Sequence, residues 1–284
     1  IKNLEFNNVE LNSSTGLIGS TDKNTILEKI KFTDDATVYI RMKDNISNLS
    51  DEKRYNYDYK DEITGYYRNV IGVLVGRNEG LIQNCAFYSK ITTDGLSLGS
   101  YALGGLVGHN VANADGTGVN NCIFKGNVYI SENFADSKFK NKDLQVIFGG
   151  LVAVNDGTIN KSKLETSSIR TNYILTQGGT VYNKSVYDNE LSYEQRTNDP
   201  KVSDDPSYVY NSPIYVISSN KAIVGGIAGI MNTGVISNCS TYKNDSANDL
   251  IILVGDEYRQ KIAYAGGIVG LITTTDGNVR DCSN

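Results

Sequence analysis

The chain has 284 residues, of which 39% are hydrophobic, and it contains 28 glycines, 19 tyrosines, one histidine and no tryptophan. Its formal net charge of −5 does not favour nucleic-acid binding, because proteins that bind DNA or RNA carry clustered positive charge. No apolar run approaches the roughly 18 residues that a membrane-spanning helix needs, so we expect no direct membrane insertion. The modest apolar content suits a thin, stacked core.

One unit recurs along the chain. In the clearest copy, the segment LGGLVGHN at 103–110 is followed by GVNNCIF at 118–124. Residues 1–6 already match 82–87, and related pairs of segments occupy 15–19 with 25–30, 71–78 with 80–87, 148–155 with 157–162, 224–229 with 234–239, and 265–270 with 277–282. Repetition at a period of tens of residues indicates a solenoid, a propeller or an array.

Each unit supplies short segments rich in β-branched residues and bounded by Gly, Asn and Asp, which predict strands. The three segments are the Gly-Gly-Leu-Val-Gly stretch, the Ile-x-Asn-Cys-x-Phe stretch, and a Val-x-Ile stretch such as 128–130. Irregular alternation in the second segment indicates that it bends. We therefore predict one all-β domain over 1–284, a right-handed, three-faced parallel β-helix or β-solenoid.

Two sets of turn residues follow from that prediction. Gly19, Gly76, Gly108, Gly229 and Gly270 share one repeat position, with Ala153 as the exception, and we expect them at a corner that requires left-handed dihedral angles. Asn78, Asn110, Asn155 and Asn232 follow that position. Asparagine bonds to its own backbone in turns, so these four are predicted to be turn residues.

The spacing of the corner positions is uneven, with steps of 57, 32, 45, 76 and 41 residues. The long steps must hold insertions or an extra coil. Two inserted loops are predicted at about 41–67 and 177–213, and both are rich in tyrosine. In repeat proteins such insertions project from the stack. Tyrosine suits adaptable recognition surfaces, although it could equally pin a loop to its own wall. The candidate binding residues are Tyr55, Tyr57, Tyr59, Tyr182, Tyr187, Tyr193, Tyr208 and Tyr210.

The four cysteines, Cys85, Cys122, Cys239 and Cys282, occupy one repeat position that Leu4, Ile30 and Ser162 fill in other units. A buried ladder of free thiols fits this pattern. A disulfide within each neighbouring pair is the alternative, because adjacent strands bring Cα atoms into the permitted range of separation. Zinc-ligand spacing is absent from the sequence, so we expect no metal site.

No catalytic or cofactor motif is recognisable. His109 is predicted to be a surface turn residue. The glycine-rich segments do not continue into the Lys-Ser/Thr of a phosphate-binding loop. Adjacent carboxylates, at 34–35, 51–52, 61–62 and 204–205, are expected to be solvated loop charges rather than the opposed pair of a glycosidase. We therefore predict a non-enzymatic protein without a cofactor.

The pattern Gly-Gly-Leu-Val-Gly-x-Asn followed by Gly-x-Ile-x-Asn-Cys resembles the GLUG motif, most clearly at 103–124, 71–87, 224–239 and 265–282. The resemblance covers most of the chain outside the two insertions. GLUG repeats occur in large bacterial surface and secreted proteins, including adhesin-like proteins and the non-catalytic N-terminal regions of immunoglobulin A proteases. The resemblance implies a secreted or cell-surface bacterial solenoid, and it implies no catalytic residues.

The expected function is that of an adhesin-like stalk and recognition module, a fragment of a longer protein, which binds a host glycan or surface protein through its Tyr-rich loops. Two alternatives stay open. The chain could be an accessory substrate-binding region of a secreted protease, or a polysaccharide lyase or hydrolase of the β-helix class.

Overall fold

Short strands separated by one to a few residues build the described backbone. The computed structural model describes residues 1–11, 15–34, 37–40, 69–93, 101–112, 115–131, 145–165, 174–177, 180–183, 214–217, 221–242, 252–254 and 262–283. Every regular element within these ranges is a β-strand. The strands pair in parallel with one exception, and they stack into a solenoid, which confirms the predicted fold class.

The first coils run as follows in chain order. Coil 1 contributes β1 (Lys2–Phe6) and β2 (Val9–Leu11), and coil 2 contributes β3 (Ile18–Thr21), β4 (Ile26–Phe32) and β5 (Thr37–Ile40). Coil 3 contains β6 (Val70–Gly72), β7 (Val75–Asn78), β8 (Leu81–Gln83), β9 (Ala86–Phe87) and β10 (Lys90–Thr93). Coil 4 contains β11 (Tyr101–Gly104), β12 (Val107–Asn110), β13 (Gly118–Asn120), β14 (Ile123–Phe124) and β15 (Asn127–Ser131).

The remaining coils repeat this path. Coil 5 contains β16 (Gln145–Gly149), β17 (Val152–Asn155), β18 (Thr158–Asn160) and β19 (Lys163–Glu165), then the hairpin strands β20 (Ile174–Gln177) and β21 (Thr180–Asn183), then β22 (Ile214–Ile217). Coil 6 contains β23 (Lys221–Gly225), β24 (Ala228–Met231), β25 (Val235–Ser237), β26 (Ser240–Tyr242) and β27 (Ile252–Val254), and coil 7 contains β28 (Ile262–Gly266), β29 (Val269–Ile272) and β30 (Asn278–Arg280).

Equivalent strands of successive coils form four parallel sheets. Sheet 1 has the order β6-β11-β16-β23-β28, sheet 2 the order β3-β7-β12-β17-β24-β29, and sheet 4 the order β2-β5-β10-β15-β22-β27. Sheet 3 has eleven strands, because the long β4 pairs with both β8 and β9 and thereby joins two rows of short strands. β3 pairs directly with β7, and β17 with β24, so the long steps contain insertions rather than extra coils.

Sheet 3 bends at one residue in each coil, as the irregular alternation indicated. The bending residue has a positive φ between 50° and 57°, and it directly precedes the position that the cysteines occupy. The residues are Asn3, Lys29, Asn84, Asn121, Lys161, Asn238 and Asp281. Asparagine and aspartate tolerate left-handed dihedral angles better than most residues, which explains their prevalence there. Asn121 Nδ2 also donates to Asn84 Oδ1 at 2.7 Å, which links the corners of adjacent coils.

The Gly-Gly-Leu-Val-Gly segment is divided between two sheets, although the sequence suggested a single strand. In coil 5, β16 ends at Gly149 and β17 begins at Val152, and the chain turns sharply between them. A Cβ atom on Gly149 would lie 1.8 Å from the Val152 carbonyl oxygen. Only glycine permits this approach. Because the turn divides one predicted strand into two, each full coil contributes to four sheets, whereas three strand segments were predicted.

The last glycine of the Gly-Gly-Leu-Val-Gly segment was expected to form a left-handed corner in each coil, and this expectation is wrong. These glycines are called the glycine row below. Gly19, Gly76, Gly108, Gly229 and Gly270 lie inside strands of sheet 2, and none has a positive φ. Sheets 1 and 2 fold against each other here, so that a Cβ on Gly229 would lie 2.6 Å from Ile147 Cγ2. A Cβ on Gly76, Gly108 or Gly270 would likewise lie within 3 Å of a carbonyl oxygen of the preceding coil, so the row is crowded by backbone as well as by side chains. Ala153, the one row member with a Cβ, belongs to a second buried apolar cluster with Val70, Ala102, Ile147, Val154, Ile223 and Ile230.

The main core runs through the centre of the stack. It contains a row of aromatic rings in which Phe6 and Phe32, Phe32 and Phe87, and Phe87 and Phe124 have centroids 5.1, 5.2 and 5.2 Å apart. Phe32, Phe87 and Phe124 are fully buried. Like residues on successive coils therefore stack directly, which is how a polar chain obtains a continuous core from few large side chains.

The asparagines after the glycine row bond to nearby backbone, as predicted for turn residues, and they also form a buried ladder. Asn78 Oδ1 accepts from Gly80 N at 3.1 Å, and Asn155 Nδ2 donates to Gly157 O at 3.0 Å. Asn78 Nδ2 donates to Asn110 Oδ1 at 2.9 Å, and Asn110 Nδ2 donates to Asn155 Oδ1 at 2.8 Å. All three side chains are inaccessible to solvent. Asn232 is not part of this ladder, because Met231 pairs with Asn155 in coil 6.

Candidate recognition surface

Both predicted insertions enter the stack beside sheet 4. Residues 41–67 separate β5 of sheet 4 from β6 of sheet 1, and residues 177–213 lie on the path from β19 of sheet 3 to β22 of sheet 4. One insertion thus follows a sheet 4 strand and the other precedes one. The strands of this sheet are parallel, so the two insertions join sheet 4 at opposite ends of its strands, three coils apart.

Most of the predicted binding tyrosines lie outside the described residues. The insertion 41–67, with Tyr55, Tyr57 and Tyr59, is wholly outside them, as are Tyr187, Tyr193, Tyr208 and Tyr210. Tyr182 belongs to β21, whose backbone pairs with β20 in an antiparallel hairpin that places Tyr182 opposite Leu175. The second insertion therefore begins with a two-stranded ribbon rather than with loop.

A row of tyrosine positions crosses sheet 4 itself, and the sequence analysis missed it. Tyr39 pairs with Thr92, Thr92 with Tyr129, and Tyr129 with Tyr215. Tyr39 is 44% exposed, whereas the preceding residue, Val38, is fully buried. Parallel strands lie about 4.8 Å apart, so the Tyr39 and Tyr129 positions are about 10 Å apart along the stack.

The signal for this row was present in the sequence. Three of the strands carry a tyrosine between two β-branched residues, at 38–40, 128–130 and 214–216. With a side-chain period of two, such a triplet places the two apolar residues on one face of a strand and the tyrosine on the other. Aligning the third segment of every coil would have brought these tyrosines into one row.

Polar residues lie next to the tyrosine row. Thr37 pairs with Lys90, and Lys90 pairs with Asn127, two positions before the tyrosine row on each strand. Glu10 pairs with Tyr39 at the start of the row. Sheet 4 therefore combines aromatic positions with hydrogen-bonding groups and opposite charges in close register. Surfaces of this kind recognise partners that are both polar and stackable.

His109 is not a surface turn residue, contrary to the prediction. It lies in β12, it is 7% exposed, and its Nε2 is 2.6 Å from Asp156 Oδ2 on the next coil. Burial alone would raise the pKa of Asp156, but the hydrogen bond and charge of His109 outweigh burial and hold that pKa below its ordinary value. Asn232 and Thr233 of coil 6 also bond to Asp156. The group braces three consecutive coils.

The cysteine row follows the corner of sheet 3. Cys85, Cys122 and Cys239 are buried, Cys282 is half-buried, and all four are free thiols in the structure. Ser162 occupies the same row between Cys122 and Cys239, and it is also buried.

Within the described ranges, no group of three or more His, Cys, Asp or Glu side chains is arranged to hold a metal ion. Nor does that part of the chain contain a helix that is long and apolar enough to cross a membrane. Comparison with known proteins found no matching family model, no matching curated protein and no matching solved structure.

Proposed function

We propose that the chain is a non-catalytic recognition module of a bacterial surface or secreted protein, in which the solenoid serves as a stalk. Sheet 4 and the two Tyr-rich insertions beside it form the contact surface, and a glycan or surface protein of a host is the partner. The observation that carries this proposal is that both insertions connect to strands of one sheet, after Ile40 and before Ile214, and that this sheet itself presents Tyr39. The resemblance of the repeat to the GLUG motif favours the same type of protein.

The physics of the stack supports a division of roles. Among the described strands, coils 3 to 6 pair with one another through all four sheets, and every coil pairs with the next through at least two, so the solenoid holds positions on sheet 4 at a constant spacing. Tyrosine offers a large contact area at a low cost in side-chain entropy, and it stacks on sugar rings as well as on apolar patches. A row of tyrosine positions held at constant spacing, on a sheet to which two Tyr-rich insertions connect, suits selective binding.

The two alternatives have weaker support. A β-helix lyase or hydrolase would bring carboxylates and cations together on one wall of consecutive coils. The ion pairs Lys2–Glu28 and Lys31–Glu5 do lie on one wall, between β1 and β4 of adjacent coils, but each carboxylate is paired with a lysine, which suits a brace between coils. An accessory region of a protease would use the same recognition surface, and it differs from the main proposal only in the domain to which it is attached.

An array of glycans and host surface proteins tests the proposal, with variants that keep the chain length. Tyr39→Ser removes an exposed tyrosine from sheet 4, and Tyr264→Ser removes one of similar exposure, 41%, from sheet 1. A third variant replaces the insertion tyrosines Tyr187, Tyr193, Tyr208 and Tyr210 by serine.

For any ligand found on the array, we expect Tyr39→Ser to raise the dissociation constant roughly 3- to 10-fold. This is the loss that corresponds to the energy of one stacked aromatic contact. The insertion variant should lose more, and Tyr264→Ser should bind as the unmodified protein does. Equal loss in Tyr39→Ser and Tyr264→Ser, or no loss in Tyr39→Ser and in the insertion variant, would contradict the proposal. A folded protein that binds nothing on the array would favour a passive spacer.

A further inference from the structure

The cysteines form two neighbouring pairs, each on adjacent coils. Gln83 pairs with Asn120 and Ala86 with Ile123, which places Cys85 of coil 3 beside Cys122 of coil 4. In the same way, the pairing of strands β25 and β30 and the bridge between Ser240 and Ser283 place Cys239 of coil 6 beside Cys282 of coil 7. In-register Cα atoms about 4.8 Å apart fall within the range that a disulfide requires.

The sulfur atoms of the row share one orientation. Cys122 Sγ lies 3.4 Å from Asn120 O in its own coil and 3.7 Å from Ile82 O in coil 3. Cys282 Sγ lies 3.2 Å from Arg280 O and 3.7 Å from Ile236 O in coil 6. Cys85 Sγ and Cys239 Sγ likewise lie 3.9 Å from Leu27 O and Ile159 O of the coil before them. In each pair, the second sulfur thus leans toward the first cysteine, and rotation of the first side chain about χ1 brings the two sulfurs together. The two thiols of each pair are close enough to influence each other's pKa.

Ser162 separates the two pairs. Its Oγ donates to Asn160 O at 3.0 Å and accepts a hydrogen bond from the Cys122 backbone N at 3.1 Å. Coil 5 therefore contributes no thiol to the row, and Cys122 and Cys239 are two coils apart. Each cysteine has only one neighbouring cysteine with which it can form a bond.

We propose that Cys85 with Cys122, and Cys239 with Cys282, form two disulfides between adjacent coils when the folded protein meets a disulfide oxidant such as oxidised glutathione. Each bond would clamp one coil to the next, coil 3 to coil 4 and coil 6 to coil 7. This inference is independent of the ligand-binding role proposed above.

The reaction is a thiol–disulfide exchange in two steps. The Cys282 thiolate attacks one sulfur of oxidised glutathione, and one glutathione leaves as a thiolate while a mixed disulfide forms. Cys239 then gives its proton to solvent and attacks the Cys282 sulfur, which releases the second glutathione. Two protein thiols are oxidised to one disulfide, and one oxidised glutathione is reduced to two thiols.

Burial and hydrogen bonding set the order of the two pairs. Burial raises the pKa of Cys239 to about 12, so the half-buried Cys282 is the sulfur of its pair that an oxidant reaches first. In the other pair, the hydrogen bond from Cys122 lowers the pKa of Cys85, while burial raises the pKa of Cys122 well above its ordinary value. Both sulfurs of that pair are almost inaccessible. The pair Cys239–Cys282 should therefore oxidise first.

The test incubates the whole chain with oxidised glutathione, blocks the remaining thiols with an alkylating agent, and follows the intact mass and the linked peptides over time. We expect a species that has lost two hydrogens and carries a Cys239–Cys282 link. The Cys85–Cys122 link should follow more slowly, or after refolding in the presence of the oxidant. Cross-linking adjacent coils should raise the unfolding midpoint by about 5 to 10 °C, and a reducing agent should reverse the change.

Cys282→Ser serves as the matched control, because serine already occupies this row at position 162. In that variant the first link should be lost while the Cys85–Cys122 link still forms. Stable glutathione adducts on Cys282 without a link to Cys239 would overturn the proposal. Links between cysteines that are not neighbours, or links that leave the unfolding midpoint unchanged, would overturn it as well.

Discussion

Replacing Asn110 by alanine tests the buried asparagine ladder directly. Asn110 is inaccessible to solvent at the centre of the ladder. Its Nδ2 donates to Asn155 Oδ1 at 2.8 Å and to Thr158 O at 3.2 Å, and its Oδ1 accepts from Asn78 Nδ2 at 2.9 Å. Alanine removes all three hydrogen bonds at once. It also leaves Asn155 Oδ1 without this donor in a site that water does not reach.

The expected loss follows from these contacts. Each hydrogen bond contributes about 1 kcal/mol net, and an acceptor left unsatisfied in the interior costs about 1 to 3 kcal/mol more. Asn78 Nδ2 keeps its second contact, to Gly80 O at 3.2 Å, so its loss is partial. The Asn110→Ala variant should therefore lose about 3 to 5 kcal/mol of its free energy of unfolding, a large share of the stability of an ordinary domain.

Urea unfolding at equilibrium measures this difference, followed by circular dichroism and by the fluorescence of the tyrosines, since the chain has no tryptophan. Asn232→Ala is the control, because the Asn232 side chain is only partly buried and its bonds, from Thr273 Oγ1 and to Asp156, lie outside the ladder. That change should cost about 1 to 2 kcal/mol. If Asn110→Ala were no more destabilising than Asn232→Ala, the ladder would not stabilise the stack as argued.

Three further predictions concern stability and use the same unfolding assay. Gly149→Ala should abolish or strongly weaken folding, because the new Cβ would lie 1.8 Å from a carbonyl oxygen. Gly19→Ala is the control and should be tolerated, since the nearest contact of its Cβ would be at 3.9 Å. Equal effects of the two changes would refute the steric argument. Asp156→Asn should be less stable than the unmodified protein above about pH 4. Because the pKa of Asp156 is lowered in the folded state, its carboxylate stabilises that state fully above pH 3.8, the ordinary pKa, and the contribution disappears as the pH falls through the lowered pKa. The difference in stability between the two proteins should therefore shrink in acid. A difference that grew in acid would contradict the direction of this pKa shift. Phe87→Ala should lower the free energy of unfolding by about 3 to 5 kcal/mol, because Phe87 is fully buried between two other rings of the aromatic row. A loss below about 1 kcal/mol would show that the neighbouring rings move to fill the cavity.

The stacked architecture could be predicted from sequence because it depends on long-range repetition. Placing like residues on like is the simplest way to bury a repeating pattern, so alignment of the copies predicted which residues become neighbours. The bend in sheet 3 was also predictable, since the alternation in 82–87 changes phase at Asn84. Both signals are spread over many residues and recur in several copies.

The local geometry could not be predicted in the same way. A glycine row is compatible with a left-handed corner and with a close approach of two backbones, and the sequence alone does not distinguish them. The structure shows the second case at Gly108 and Gly229, where sheets 1 and 2 pack against each other. The burial of His109 likewise depends on Asp156, which lies 47 residues further along the chain.

The recognition surface illustrates a related point about register. In this fold, register is specified by rows of matching side chains and backbone hydrogen bonds, not by the number of residues between strands. The coil that contains β19 and β22 therefore stacks in register with its neighbours although 48 residues separate those two strands. Because the cost of closing a loop grows only slowly with its length, a long insertion at this place adds little to the cost of folding. Residues beside sheet 4 can thus change in length and composition while the spacing of the Tyr39 row stays constant. Under the proposed function, this combination of a fixed row on sheet 4 and insertions that connect to its strands would let one scaffold acquire different binding partners.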